Sequence, residues 1–196
     1  MAQITQKEGE ALLALFKGFS TYYNANSLSK YIGISHVGAQ KILKRFLEEG
    51  LTDSRNIGRS IVHKPKLDND YAEKLITFLL ADEANNHKRW KEEFKGLVIE
   101  DEIILIYGSA IKNYKTAEDI DIMIIGKEKN FKEIDEKIKD IQETLPKKIH
   151  ALKLTKQDFL KNINNKKKAI IDLISNAIVL YGHYSYVELM RNVTSF

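Results

Sequence analysis

The stretch IILIYGSAIKNYKTAEDIDIMIIG, residues 103–126, decides how the rest of the chain is read. Its two ends are short, apolar and rich in β-branched residues, which predicts two buried strands. Gly108 and Ser109 close the first strand and predict a turn that opens a short helix, followed by a polar loop. The second strand carries Asp119 and Asp121. Side chains alternate between faces along a strand, so acids at i and i+2 project from one face. Such a pair is costly on a buried strand unless a cation or hydrogen-bond donors compensate it. A divalent cation held by carboxylates and substrate phosphates is one compensation, and Mg²⁺ is often bound this way. Gly108 lets backbone approach a phosphate closely, and the amides that follow Ser109 attract anions. A phosphate turn beside an acid pair is the composition of a nucleotide site. The alternative is a surface loop in which Asp residues only cap a helix.

Gly108-Ser109 followed by Asp119-Ile120-Asp121, flanked by two strands, resembles the nucleotidyltransferase domain of the DNA polymerase beta superfamily in its minimal form. Nine residues separate Ser109 from Asp119, one fewer than is usual in that family. Glu118 stands where the family has a Ser, and the family's loop Gly is absent. The resemblance implies that Asp119 and Asp121 hold Mg²⁺ on a nucleoside triphosphate, with Gly108 and Ser109 against its phosphates. It also implies a third carboxylate on a later strand, completing a second metal site about 4 Å from the first. The expected third strand, Ile149 to Leu154, has no acid. His150 lies nearest to the vacant position. It reads as a base, as a substitute ligand that hard Mg²⁺ accepts poorly, or as a polar edge residue. Asp140, Asp158 and Asp172 fall on expected helices, Asp158 at a capping position.

The 196 residues are 43% hydrophobic and 30% charged, which suits one large or two small globular domains. No apolar run approaches the length of a membrane span, and no signal peptide is expected, so the cytoplasm is the expected compartment. The absence of cysteine excludes disulfides, thiolate catalysis and Cys-ligated zinc. Charge is unevenly spread. Residues 1–66 carry ten Lys/Arg against five Asp/Glu, while the remainder is close to neutral. A basic N-terminal segment predicts a polyanion partner.

Within that segment the apolar spacing of residues 7–17 predicts a helix. Ser20 to Asn26 reads as a loop. Ser27 is expected to cap a short helix ending at Gly33, and Ser35 a second one ending near Gly50. Two short helices joined by Gly-Ile-Ser have helix-turn-helix spacing. In the second, Val37, Ala39, Ile42, Leu43, Phe46 and Leu47 are expected inside, leaving His36, Gln40, Lys41, Lys44 and Arg45 outside. Residues 51–66 read as two strands turning near Asn56-Ile57-Gly58, with Arg55 and Arg59 near the tip. The pattern resembles a winged helix-turn-helix, which implies duplex DNA as partner. Lys41, Lys44, Arg45, His36 and Gln40 would then reach the major groove, with Arg55 and Arg59 on the backbone or minor groove. Winged helices also serve as protein-interaction modules, so a protein partner or homodimer stays open.

Residues 68–97 are expected to be a helical connector, with Trp90 either packed or anchoring an interface, and with His63 and His87 solvated. Beyond it, residues 131–145 read as an amphipathic helix ended by Pro146. AIIDLISNAIVLY, residues 169–181, reads as one apolar helix closed by Gly182. The expected fold class is mixed α and β. A winged helix-turn-helix (1–67) and a connector (68–97) precede a small mixed sheet with flanking helices (98–196). The function so implied is Mg²⁺-dependent transfer of a nucleoside monophosphate to an unknown acceptor. The alternative is a DNA-binding regulator whose degenerate transferase-like domain only senses nucleotide or binds a partner.

Overall fold

The computed structural model describes residues 4–165 and 167–194. It is a mixed α and β protein with a two-stranded and a four-stranded sheet. Two compact units are present. One takes in the chain up to Leu79 and the segment that begins at Met190, and the other runs Leu80–Leu189.

The first unit opens with α1 (Gln6–Lys17), α2 (Ala25–Ile32) and α3 (His36–Glu48). α1 starts in a capping box, in which Thr5 and Glu8 satisfy each other's backbone amides. The start of α2 differs from expectation. Asn24, not Ser27, is its cap, because the Asn24 side chain accepts from Ser27 N at 2.9 Å and Ser27 Oγ accepts from Asn24 N at 3.0 Å. Gly33, at φ 67°, ends α2 in the left-handed conformation that a Cβ disfavours. Ser35 then caps α3 by accepting from Gly38 N. Leu28, Ile32, Ala39, Leu43 and Phe46 are buried with Leu12, Leu15 and Phe16 of α1. Val37 and Leu47, expected inside, are instead exposed, at 58% and 38%. They lie at the rim of the apolar stripe, and Leu43 and Phe46 already fill its centre.

β1 (Thr52–Ile57) and β2 (Ser60–Pro65) form an antiparallel hairpin with Ile57 opposite Ser60. His63, expected in solvent, is only 5% exposed on β2. The expected connector is not a body of its own. α4 (Asp70–Asn85) is divided between the units at Leu79, and α5 (Lys88–Phe94) lies wholly in the second. The reason is apolar burial. Trp90, Phe94 and Leu97 enter the core of the four-stranded sheet, where Trp90 stacks on Phe94 with centroids 6.1 Å apart.

The second unit is built on β3 (Ile103–Tyr107), α6 (Ser109–Lys112), β4 (Asp119–Gly126), α7 (Phe131–Thr144) and β5 (Lys148–Thr155). α8 (Lys156–Asn164), α9 (Lys168–Asn176), β6 (Ile178–Tyr181) and α10 (His183–Thr194) follow, the last reaching back into the first unit. Strand order is β5-β4-β3-β6. β3 pairs antiparallel with both β4 and β6, and β4 pairs parallel with β5. Ile104, Ile106, Ile120, Ile122, Ile124 and Leu180 supply one sheet face, packed with Ile134 of α7 and with Trp90 and Phe94. α8 packs on β4 and β5, and α9 on β3.

Residues 169–181 are not one helix. The chain leaves α9 at Asn176 and continues as β6. An apolar run of either type carries the same pattern. Here the free edge of β3 needs hydrogen-bond partners, and the Ile178-Val179 pair suits a strand. Gly182 follows at φ 77°, where a Cβ would lie 2.4 Å from the Glu102 carbonyl oxygen.

Candidate functional site

β3 and β4 form an antiparallel pair whose register sets Tyr107 opposite Asp121. Ile120, Ile122 and Ile124 point into one buried face, so Asp119 and Asp121 share the opposite one, where Met123 and Ile125 further along the strand are also buried. β5 runs parallel on the other edge of β4 and places His150 opposite Asp121. Three side chains thereby meet at one end of the sheet. His150 Nδ1 lies 3.1 Å from Asp119 Oδ2 and 3.8 Å from Asp121 Oδ1. One ligand atom from each of the three residues falls within 4.8 Å of the others. Their side chains are 33%, 26% and 47% exposed for Asp119, Asp121 and His150, so the cluster is open on one side.

Burial raises the pKa of Asp121, the nearby Asp119 charge raises it further, and His150 opposes both. The same field acts on Tyr107, whose phenol is raised first by burial and then by Asp121 and Asp119. Tyr107 is the residue that motif reading missed. Its signal is parity: it immediately precedes Gly108 on the strand antiparallel to the acids, in register with one of them.

Gly108 adopts φ 82°, ψ −158°, and a Cβ there would lie 2.5 Å from Asp121 Oδ2. The Asp121 carboxylate therefore occupies the space that any other side chain at position 108 would take. Ser109, exposed, begins the four-residue helix α6. The loop that leads on to Asp119 is tied down. The Tyr114 ring meets Trp90 edge-on at 5.6 Å, and the Arg89 guanidinium sits 3.5 Å from its centre. Lys147 Nζ donates to the Ala117 carbonyl and lies 4.9 Å from the same ring.

The donor set suits a divalent ion. Two carboxylates and an imidazole within 4.8 Å of one another need only a small closure to share an ion at ordinary bond lengths of about 2.0–2.2 Å. No acid stands on β5, whose residue facing the pair is His150. Asp158 is committed to the start of α8, where the cap Thr155 accepts from its amide through Oγ1 and donates to its carboxylate at 2.7 Å. Asp140 and Asp172 are exposed on α7 and α9.

In the first unit, a groove of about 670 Å³ between α3 and the hairpin is lined by His36, Gln40, Lys44 and Arg59. The first three recur every four residues along one face of α3. Leu43, Leu47 and Ile61 supply apolar lining, and His63 also reaches the groove. Lys41 is exposed outside this lining, and Arg55 lines a separate cavity of about 540 Å³ with Lys64 and Arg191. Arg45, expected free on the outer face, is paired. Its guanidinium lies 2.6 Å from Glu8 Oε1 and 2.8 Å from Glu49 Oε1. The buried Glu8 needs a cation, and α3 presents Arg45 to α1. Lys64 is also withdrawn from the surface. It is 2% exposed, and its ammonium donates to the Phe19 carbonyl.

No protein-family model, curated protein or solved structure matches the chain. No helix among the described residues is long and apolar enough to cross a membrane.

Proposed function

We propose that the second unit binds a divalent metal ion with the phosphates of a nucleoside triphosphate and transfers the nucleoside monophosphate to an acceptor hydroxyl. The observation that carries this reading is the meeting of Asp119, Asp121 and His150 within 4.8 Å, beside the Gly108-Ser109 turn that Asp121 overhangs. The acceptor hydroxyl gives up its proton to solvent and its oxygen forms a bond to the α-phosphorus, the bond from that phosphorus to the bridging oxygen breaks, and pyrophosphate leaves. A bound divalent ion would supply Lewis acidity and charge neutralisation. Asp119 and Asp121 hold the ion, the turn at Gly108 and Ser109 admits the phosphates, and His150 faces both acids. The register that sets Tyr107 opposite Asp121 keeps the turn beside the acids. Supplying protein, each labelled triphosphate, divalent metal and cell extract tests this. Labelled product that disappears with Asp119→Ala supports transfer. Absence of label with all four nucleotides refutes it and leaves nucleotide sensing, which a nucleotide-dependent rise in the melting midpoint would show.

A second reading applies to the first unit. Its three helices and hairpin suit a winged helix-turn-helix that binds duplex DNA. The supporting observation is the convergence of His36, Gln40, Lys44 and Arg59 on one groove. Gel shifts at low ionic strength test it. Absence of duplex binding would leave a protein-interaction module.

A further inference from the structure

The parallel pairing of β4 with β5 places a nitrogen donor where the acid pair's third partner must come from. Resting on the metal reading above, we propose that His150 makes the Asp119–Asp121 site selective for first-row transition ions such as Mn²⁺ and Co²⁺ over Mg²⁺.

Three observations carry this. First, the atom of His150 nearest the acids is a ring nitrogen, Nδ1, at 3.1 Å and 3.8 Å from one oxygen of each. An ion seated between the two carboxylates therefore meets imidazole nitrogen as its third protein donor. Second, no further carboxylate joins the cluster among the described residues, so an all-oxygen protein cage is not on offer. Third, the register is fixed over eight residue pairs, from Asp119 opposite Lys148 to Gly126 opposite Thr155. His150 cannot slip out of line without breaking that ladder.

Mg²⁺ is hard, prefers oxygen donors and keeps much of its water. Imidazole suits later first-row ions, whose affinity for a site with nitrogen rises from Mn²⁺ through Co²⁺. Two carboxylates alone favour Mn²⁺ over Mg²⁺ only modestly, so the imidazole is what sets the margin. The neutral ring must present an unprotonated Nδ1 to the ion, with its proton on Nε2.

The test is binding, read without turnover. Calorimetric titrations of the full chain with MgCl₂, MnCl₂ and CoCl₂ compare wild type with His150→Ala and His150→Asp. Pulsed electron paramagnetic resonance of bound Mn²⁺ asks whether ¹⁴N is in its coordination shell. The expected result in wild type is Mn²⁺ bound about tenfold more tightly than Mg²⁺, Co²⁺ tighter again, and ¹⁴N modulation present. His150→Ala should lose the ¹⁴N signal and narrow the Mn²⁺ to Mg²⁺ ratio, and His150→Asp should tighten Mg²⁺ binding relative to wild type. If ions bind but wild type shows no ¹⁴N coupling and the same ratio as His150→Ala, the selectivity proposal falls while the metal reading stands. If wild type binds none of the three ions, with or without nucleotide, both fall together. The wild-type resonance experiment decides the ligation question even if a variant fails to fold.

Discussion

His150 Nδ1 lies 3.1 Å from Asp119 Oδ2, although the two residues sit on different strands, separated in the chain by the whole of α7. The contact exists because β5 returns parallel to β4. A parallel return needs a crossover, and α7 supplies it. The site's third side chain is thus delivered by topology.

Asp119→Asn should leave stability in the absence of metal unchanged or raise it by less than about 1 kcal/mol, because one of two mutually repelling charges is removed. It should also abolish metal-dependent nucleotide binding. Melting curves with and without triphosphate and divalent ion check both. A large loss of stability in the metal-free protein would show that the acids are structural, and the metal reading would be lost.

Gly108→Ala should cost about 1–3 kcal/mol from the backbone alone, because φ 82° with ψ −158° is a conformation essentially reserved for glycine. Its Cβ would also lie 2.5 Å from Asp121 Oδ2, displacing a proposed ligand and lowering metal affinity by about tenfold or more. Gly58→Ala is the control, since Gly58 has φ 59° and open space around its Cβ position. It should pay the backbone cost and leave metal binding intact. Equal metal affinity in the two variants would contradict the close approach of Asp121.

Arg45→Ala should destabilise the first unit more than Lys44→Ala does, because Glu8 is left without its cation. Lys44→Ala should cost less than about 0.5 kcal/mol, as its 3.8 Å pair with Glu48 is exposed. Burial pushes Glu8 up, but hydrogen bonds from Thr5 and the Arg45 pairing outweigh it and hold its pKa below the ordinary carboxylate value. A depressed carboxylate contributes stability above its unfolded pKa and loses it as pH falls through the folded one. Wild type should therefore lose stability on acidification more steeply than Arg45→Ala. Urea midpoints from pH 7 down to pH 3 would measure it, and parallel curves would contradict the pairing.

Lys64 should impose the opposite alkaline trend. Burial pushes its ammonium down to about 8. A lysine depressed on folding penalises the native state when charged, and the penalty is relieved as pH rises from about 8 toward the unfolded value of about 10.4. Lys64→Met should flatten the melting midpoint across that window relative to wild type. A wild-type midpoint that falls at least as steeply as that of Lys64→Met would refute the buried-ammonium account.

For DNA, affinity should fall with salt at a log-log slope of about −0.9 per phosphate contact. Arg59→Ala should flatten that slope by about one unit, whereas Gln40→Ala should alter sequence preference at constant slope. Arg45→Ala should act through stability alone, since its guanidinium is committed to Glu8 and Glu49. Gel shifts over a salt series distinguish these. A slope unchanged by Arg59→Ala removes that residue from the phosphate contacts.

Local chemistry in the sequence determined the elements that depend on near neighbours. The short Ile-rich runs on either side of Gly108-Ser109, bounded by turn residues, favour strands, and period-two alternation then puts Asp119 and Asp121 on one face. The caps Thr5, Ser35 and Thr155 are equally local, because each satisfies amides three residues away. What the sequence left open was settled by partners distant in the chain. Residues 178–181 became a strand because the edge of β3 required hydrogen-bond partners. Trp90 and Phe94 joined the sheet core because burying them outweighs leaving a charged helix in solvent. Arg45 turned inward because Glu8, on another helix, is buried and negative. His150 met the acid pair only through the parallel register of β4 and β5. Patterns of period two and 3.6 record which face a residue occupies, but they carry no information on which distant strand or charge will stand opposite it.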